Sequence, residues 1–167
     1  ARMALHKAGI KLEHREILLS NKPKHMLEIS PKSSVPVLLT PTGQIIDESL
    51  DIMLWALGLN DPENLLYSHD PKALPEMLKV IQENDDAFKP SLEKYKRAKR
   101  FHGDDLEACR LECEPFVQAL EQRLEQHEFF MGSTPSLLDY ALLPFIRQFS
   151  RVNKPVFSGG QYTNLHR

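Results

Sequence analysis

Pro36, set between Val35 and Val37, constrains this chain more than any other residue. The run Ser34-Val35-Pro36-Val37-Leu38-Leu39 leads into Pro41-Thr42-Gly43 and then into Ile45-Ile46-Asp47-Glu48-Ser49. An apolar run opened by proline, a Pro/Gly turn and a second apolar run predict two strands joined as a hairpin. Proline has no N–H for a ladder, so it belongs at a strand start or a sheet edge. It is also the residue before which a cis peptide bond is cheap. A cis Val35–Pro36 bond turns the preceding backbone outward and leaves the N–H and C=O of Val35 open to an extended ligand, as an added strand pairs with a sheet edge. On the residues alone, an ordinary trans bond opening an edge strand remains the alternative, since only about 5–6% of X–Pro bonds are cis.

Glu48 and Ser49 stand where a helix is expected to begin. The free N–H groups and the positive dipole end of a helix start favour an anionic ligand group, while the Glu48 carboxylate suits an ammonium. Together with Val35, these residues predict a site for a small peptide carrying an α-carboxylate and an α-ammonium at one end. Taken alone, Asp47-Glu48-Ser49 also fits a plain helix start, because Asp and Ser cap helices and Glu favours the first turn.

With 167 residues and 41% hydrophobic content the chain can bury a core, as one domain or two small ones, and two fits the patterning better. A net charge of −2 gives no global basic field, so charge does not point to nucleic acid. No apolar run is long enough to span a bilayer and no secretory leader is read, so no membrane partner is expected and a cytoplasmic, reducing setting is. Both ends read as cut: Ala1 to Gly9 looks like the second half of a helix capped by Gly9, and another apolar pattern begins at Asn164-Leu165-His166-Arg167.

Glu13 to Leu19 is expected as a strand, Ser20-Asn21-Lys22-Pro23 as a turn, Lys24 to Ile29 as a short helix and Ser30-Pro31-Lys32-Ser33 as a loop. Ile52, Trp55, Ala56 and Leu59 mark the inner face of a helix ending near Gly58. The Pro, Asn, Asp and Ser content of 60–71 marks a linker between residues 1–59 and an all-helical part at 72–167. Leu74, Leu78, Ile81, Phe88, Leu92 and Tyr95 predict one long amphipathic helix, interrupted by Asp85 and open to a kink at Pro90. A second helix is expected from Asp104 to His127. Its Cys109 and Cys113 share a face, which reads as packing, since a metal site needs more ligands nearby. Gly132-Ser133-Thr134-Pro135-Ser136-Leu137-Leu138-Asp139 is a capping box, Ser136 with Asp139, for a buried helix from 137 to 150. The basic run Lys94, Lys96, Arg97, Lys99, Arg100 is explained as a solvated helix end flanked by acids.

These segments together resemble the soluble glutathione transferases: a thioredoxin-like half with a Val-Pro loop and a Glu-Ser pair, then an all-helical half with the Gly-x-x-x-Ser-x-x-Asp box. Lys22-Pro23 before the short helix, and Pro144-Phe145-Ile146-Arg147-Gln148-Phe149 in the buried one, are most similar to the cysteine-type, omega-like branch. The resemblance implies an α/β plus all-α fold, with residues 1–59 as a partial thioredoxin-like, glutathione-binding domain. It implies an enzyme that binds glutathione as substrate or cosubstrate, acts on a small electrophile or disulfide with thiol transferase or reductase chemistry, and forms a homodimer. By resemblance, Val35 beside Pro36 pairs with the cysteinyl part of glutathione, Glu48 and Ser49 hold the γ-glutamyl end, and Lys22 approaches from its loop, although an exposed Lys beside a turn also fits simple solvation. Asn84, Asp85 and Lys89 are expected to line the second substrate's pocket, or else to form a polar break in a surface helix. The family's catalytic group and first strand fall upstream of Ala1, so no catalytic residue is expected within these residues. That strand, expected between the 13–19 segment and the Val35-Pro36 strand, would come from outside these residues or from another chain. A non-catalytic dimerising or protein-binding module of the same fold is the alternative.

Overall fold

A computed structural model describes residues 1–30 and 32–166. Pro31, in the expected 30–33 loop, and Arg167, in the expected terminal apolar pattern, lie outside the described residues. The chain divides into two units, the first being Ala1–Leu65 and the second beginning at Leu66.

In the first unit, helix α1 (Arg2–Lys7) buries Ala4 and Leu5 against α3 (Ser49–Leu59). Past the end of α1, Gly9 has φ +68°, the left-handed conformation that a helix stop adopts and that glycine reaches without a Cβ clash. The Asn60 amide just beyond α3 donates to the Ala8 carbonyl at 3.0 Å, and Lys7 pairs with Glu63 at 2.8 Å, so both helix ends are tied on the same side. Helix α3 buries Ile52, Met53, Ala56 and Leu57, whereas Leu59 is 64% exposed and Trp55 half-buried. The inner stripe therefore runs through Met53 and Leu57, not through the expected Leu59. Helix α2 (Lys24–Ile29) spans the residues expected of it and anchors by Met26.

Strands β1 (Leu38–Leu39) and β2 (Ile45–Ile46) pair antiparallel, Leu38 with Ile46 and Leu39 with Ile45. Their turn is closed by Thr40, whose N–H donates to the Gln44 carbonyl at 2.9 Å while its hydroxyl accepts the Gln44 N–H at 3.0 Å. Gly43 takes φ +84° there. The strand expected at Glu13 to Leu19 does not form. Residues 11–17 carry no regular structure, and only Leu18 bridges locally to Asn21 across the Leu19-Ser20 turn. Backbone N–H and C=O groups make a strand only when a neighbouring strand takes them up, and none does so here among the described residues; Leu18 is left 70% exposed.

The second unit is helical. Helix α4 (Ala73–Glu83) runs through a single π turn (Asn84–Phe88) into α5 (Lys89–Arg100), so the expected long helix is continuous but widened. Pro90 explains the position of that wide turn: it lacks an N–H and its ring crowds the carbonyl four residues earlier, which a locally wider turn relieves. Helix α6 (Leu106–Gln126) buries Cys109, Cys113, Val117 and Leu120. Helix α7 (Leu137–Val152) starts at the expected capping box: the Ser136 N–H donates to Asp139 Oδ2 at 2.8 Å, and the other Asp139 oxygen accepts the Phe130 N–H at 2.9 Å. One carboxylate thus stops two main-chain donors and fixes the approach to the helix.

Phe149 on α7 is the centre of the core. Its ring lies 6.0 Å from Phe88, 5.8 Å from Tyr95, 6.1 Å from Phe157 and 5.8 Å from Tyr162. Short helix α8 (Lys154–Val156), a kink at Gly160 (φ +94°) and α9 (Thr163–His166) return the chain to α6. There the buried Glu121 carboxylate accepts the N–H groups of Asn164 at 2.8 Å and Leu165 at 2.9 Å, standing in for the N-cap that a four-residue helix cannot supply itself.

Candidate functional site

The hairpin register sets the geometry of the candidate site. With Leu38 opposite Ile46, continuing the two chains away from the turn brings Val37 towards Asp47 and Pro36 towards Glu48. The Val35–Pro36 end of one strand and the Glu48–Ser49 start of α3 therefore lie at one end of the hairpin. The Val35–Pro36 peptide bond is cis. Val35 is exposed, and among the described residues its main-chain N–H and C=O make no backbone hydrogen bond.

Glu48 precedes the first residue of α3 with extended backbone (φ −113°, ψ 137°), and Ser49 opens the helix. The first-turn N–H groups of an eleven-residue helix face that end, and Asp51 lies in the same turn. Lys32 joins the cluster: its ammonium donates to Glu48 Oε1 at 3.0 Å and lies 3.8 Å from Asp47 Oδ1. The Glu48 hydrogen bond, followed by the charge of Asp47, holds this ammonium above the ordinary lysine range. Lys32 was not foreseen from sequence. A lysine in a Ser/Pro loop sixteen residues before its partner carries no local signal, and only the fold that brings the two segments together exposes the pair. Lys22 is half-buried between the Leu18–Asn21 bridge and α2, and among the described residues it makes no ion pair with the cluster.

Asn84, Asp85 and Lys89 form a separate cluster within the second unit, on the π turn and the start of α5. Asn84 is 1% exposed; its amide donates to Asp85 Oδ1 at 2.8 Å, while its own Oδ1 has no partner among the described residues. Lys89 pairs with Asp85 at 2.7 Å and sits 4.7 Å above the Phe145 ring. Asp85 interrupts the apolar stripe, as the pattern predicts, yet it is doubly engaged. The wide turn is what lets residues 84, 85 and 89 present polar groups next to the half-buried Phe145 ring.

Neither cysteine suits nucleophilic work. Burial pushes the Cys113 thiol up to about 12, and burial together with Asp105 raises that of Cys109, so both stay protonated near neutral pH. Both are free thiols inside α6.

Against known proteins, the family models for the glutathione S-transferase N-terminal domain and C-terminal domain match residues 1–57 and 103–167. Glutathione S-transferase omega-1 of Mus musculus is 30% identical over 147 residues, covering 87% of this chain and 60% of the mouse protein. The probable glutathione S-transferase parA of Nicotiana tabacum is 28% identical over 148 residues, covering 89% of this chain and 66% of its own length. Among solved structures, a glutathione transferase family member from Pseudomonas fluorescens pf-5 with two glutathione bound superposes with a TM-score of 0.79 at 19% identity, covering 99% of this chain and 78% of that one. Glutathione transferase Omega 2C of Trametes versicolor gives 0.77 at 22% identity, over 98% and 78% of the two chains. The chain belongs to the glutathione S-transferase family. It spans 60% of the length of the mouse omega-1 relative.

Proposed function

We propose that this chain supplies the glutathione-binding half-site and the helical domain of a glutathione-dependent transferase of thiol transferase or reductase type. The observation that carries the reading is the hairpin register, which brings the free main chain of Val35 to the same end as Glu48 and the N-terminus of α3. A γ-glutamyl peptide meets three demands there: a strand-like edge for its backbone, a carboxylate for its ammonium and helix N–H groups for its carboxylate. Val35 beside Pro36 takes the cysteinyl main chain, Glu48 and Ser49 take the γ-glutamyl end, and Lys22 lends long-range positive charge from its loop.

The reacting thiolate is assigned to a cysteine other than Cys109 and Cys113, whose raised thiols unfit them for the step. A cysteine at a helix start is kept anionic by the free N–H groups. Such a thiolate attacks the glutathione sulfur of a mixed disulfide between glutathione and a second thiol, releasing that thiol and leaving the cysteine disulfide-bonded to glutathione; a second glutathione thiolate then breaks that bond, regenerating the cysteine and forming glutathione disulfide. Asn84, Asp85 and Lys89, with Phe145, are assigned to the second substrate, a small electrophile or disulfide; their mix of carboxylate, ammonium and aromatic face suits a polar aromatic compound. A homodimer in the cytoplasm is the setting proposed for the parent, and the two free buried thiols suit such a reducing compartment.

The test is titration of glutathione into the protein and into its Glu48→Ala variant. A drop in affinity of about tenfold or more is expected, since a charge-assisted hydrogen bond is worth about 1.5–3 kcal/mol. Equal affinity in the two proteins removes the site assignment.

A further inference from the structure

The Lys32–Glu48 pair gives the candidate site a feature beyond the reading above, on which it rests. Glu48 is the group assigned to a ligand ammonium, yet an ammonium already sits on it, that of Lys32, at 3.0 Å. Two consequences are conceivable: Lys32 is a competitor that a ligand must displace, or it is itself a ligand-binding group. Local charge decides between them. Asp47, Glu48 and Asp51 lie within one helical turn, and Lys32 is the cation paired with the first two. An incoming ammonium is attracted to such a cluster, but an α-carboxylate attached to the same carbon is repelled by three acids unless a cation stands among them. Helix N–H groups offset part of that repulsion, and a full positive charge offsets more.

We infer that Lys32 and Glu48 act as a clamp for a zwitterionic α-amino-acid end: the ligand exchanges salt bridges with the pair, its ammonium moving onto Glu48 and its α-carboxylate onto Lys32. An α-amino acid carries its two charges on groups joined to one carbon, so it fits between two side chains already in hydrogen-bond contact with little movement. Both side chains are solvent-exposed, at 61% for Lys32 and 57% for Glu48, so opening the pair meets no packed core. The clamp makes the site selective for peptides whose γ-glutamyl end carries both charges, and it discriminates against analogues in which the α-carboxylate is neutralised.

The experiment is calorimetric titration of the full chain, and of its Lys32→Met and Lys32→Arg variants, with two ligands: glutathione, and the glutathione analogue whose γ-glutamyl α-carboxylate is converted to an amide. Lys32→Met is expected to weaken glutathione about fivefold, the upper end of an exposed ion pair, and to leave the amide analogue unchanged or slightly tighter. Lys32→Arg is expected to keep the preference, and raising salt to shrink it in the wild type. Lys32→Met binding glutathione as tightly as or tighter than wild type overturns the clamp in favour of a bystander or competitor. Equal losses for both ligands overturn it as well. A wild-type chain that binds neither ligand refutes the site reading itself, a result distinct from one in which glutathione binds and Lys32 proves irrelevant.

Discussion

Glu121 offers a sharp test of how the second unit holds its terminal segment. This carboxylate on α6 is 5% exposed. Its Oε1 accepts from the Thr163 hydroxyl at 3.2 Å, the Asn164 N–H at 2.8 Å and the Asn164 side-chain amide at 2.9 Å, and its Oε2 accepts the Leu165 N–H at 2.9 Å. Glu121→Gln keeps the volume but turns one acceptor into a donor. The remaining oxygen belongs where three donors converge, at the Oε1 position, so the new NH2 faces the Leu165 N–H and that amide loses its acceptor. Losing a hydrogen bond to a charged group costs about 1.5–3 kcal/mol, which is roughly 10- to 150-fold faster exchange at Leu165 if the segment opens locally. The Asn164 amide keeps a neutral acceptor and changes less, by about fivefold for a loss near 1 kcal/mol. Residue-resolved amide hydrogen exchange reads both positions in one experiment, with Glu121→Ala as the variant that should deprotect both. Equal protection loss at 164 and 165 in Glu121→Gln, or no change at either, would refute the assignment of one oxygen to each partner set.

Phe149→Ala removes the ring that Phe88, Tyr95, Phe157 and Tyr162 all touch, and is expected to cost about 3–5 kcal/mol in urea unfolding; a loss below about 1 kcal/mol would mean the aromatic cluster is not the centre of the core. Cys113 predicts an alkaline instability. Because burial lifts its thiol from 9.0 to about 12 in the folded chain, both states hold the proton below pH 9, and above it the unfolded chain loses its proton first. Stability should therefore fall as pH rises from 9 towards 12. Cys113→Ala should flatten that part of the profile, whatever its effect at neutral pH, and an unchanged slope would count against a buried thiol as its source.

Much of the helical architecture was written in local pattern. The spans of α6 and α7 follow from apolar spacing, that of α2 from the turn signals on either side, and the start of α7 from Ser136 and Asp139, because capping and amphipathicity involve residues at most a few positions apart; α3 forms where it is expected, with its buried stripe shifted to Met53 and Leu57. The hairpin was equally readable, since two apolar runs around Pro41-Thr42-Gly43 leave one short connection. A strand at 13–19 was an error of another kind: Ile17, Leu18 and Leu19 have strand-like character, but a strand is a relation between two segments, and here only Asn21 answers Leu18. The π turn at Asn84–Phe88 likewise escaped a pattern that registers Pro90 as a kink without saying how the backbone absorbs it.

By itself, then, the sequence determined which stretches become helix or turn, and marked Val35, Glu48 and Ser49 as a candidate group through their spacing around one hairpin. Tertiary structure alone decided which charged side chains meet: Lys32 with Glu48 across sixteen residues, and Glu121 with the start of α9 across more than forty. The physical reason is range. Backbone propensity and capping act within a turn or two and leave their mark on neighbouring letters, whereas the partner of a side chain is chosen by where the fold brings distant segments, and no local pattern records that choice.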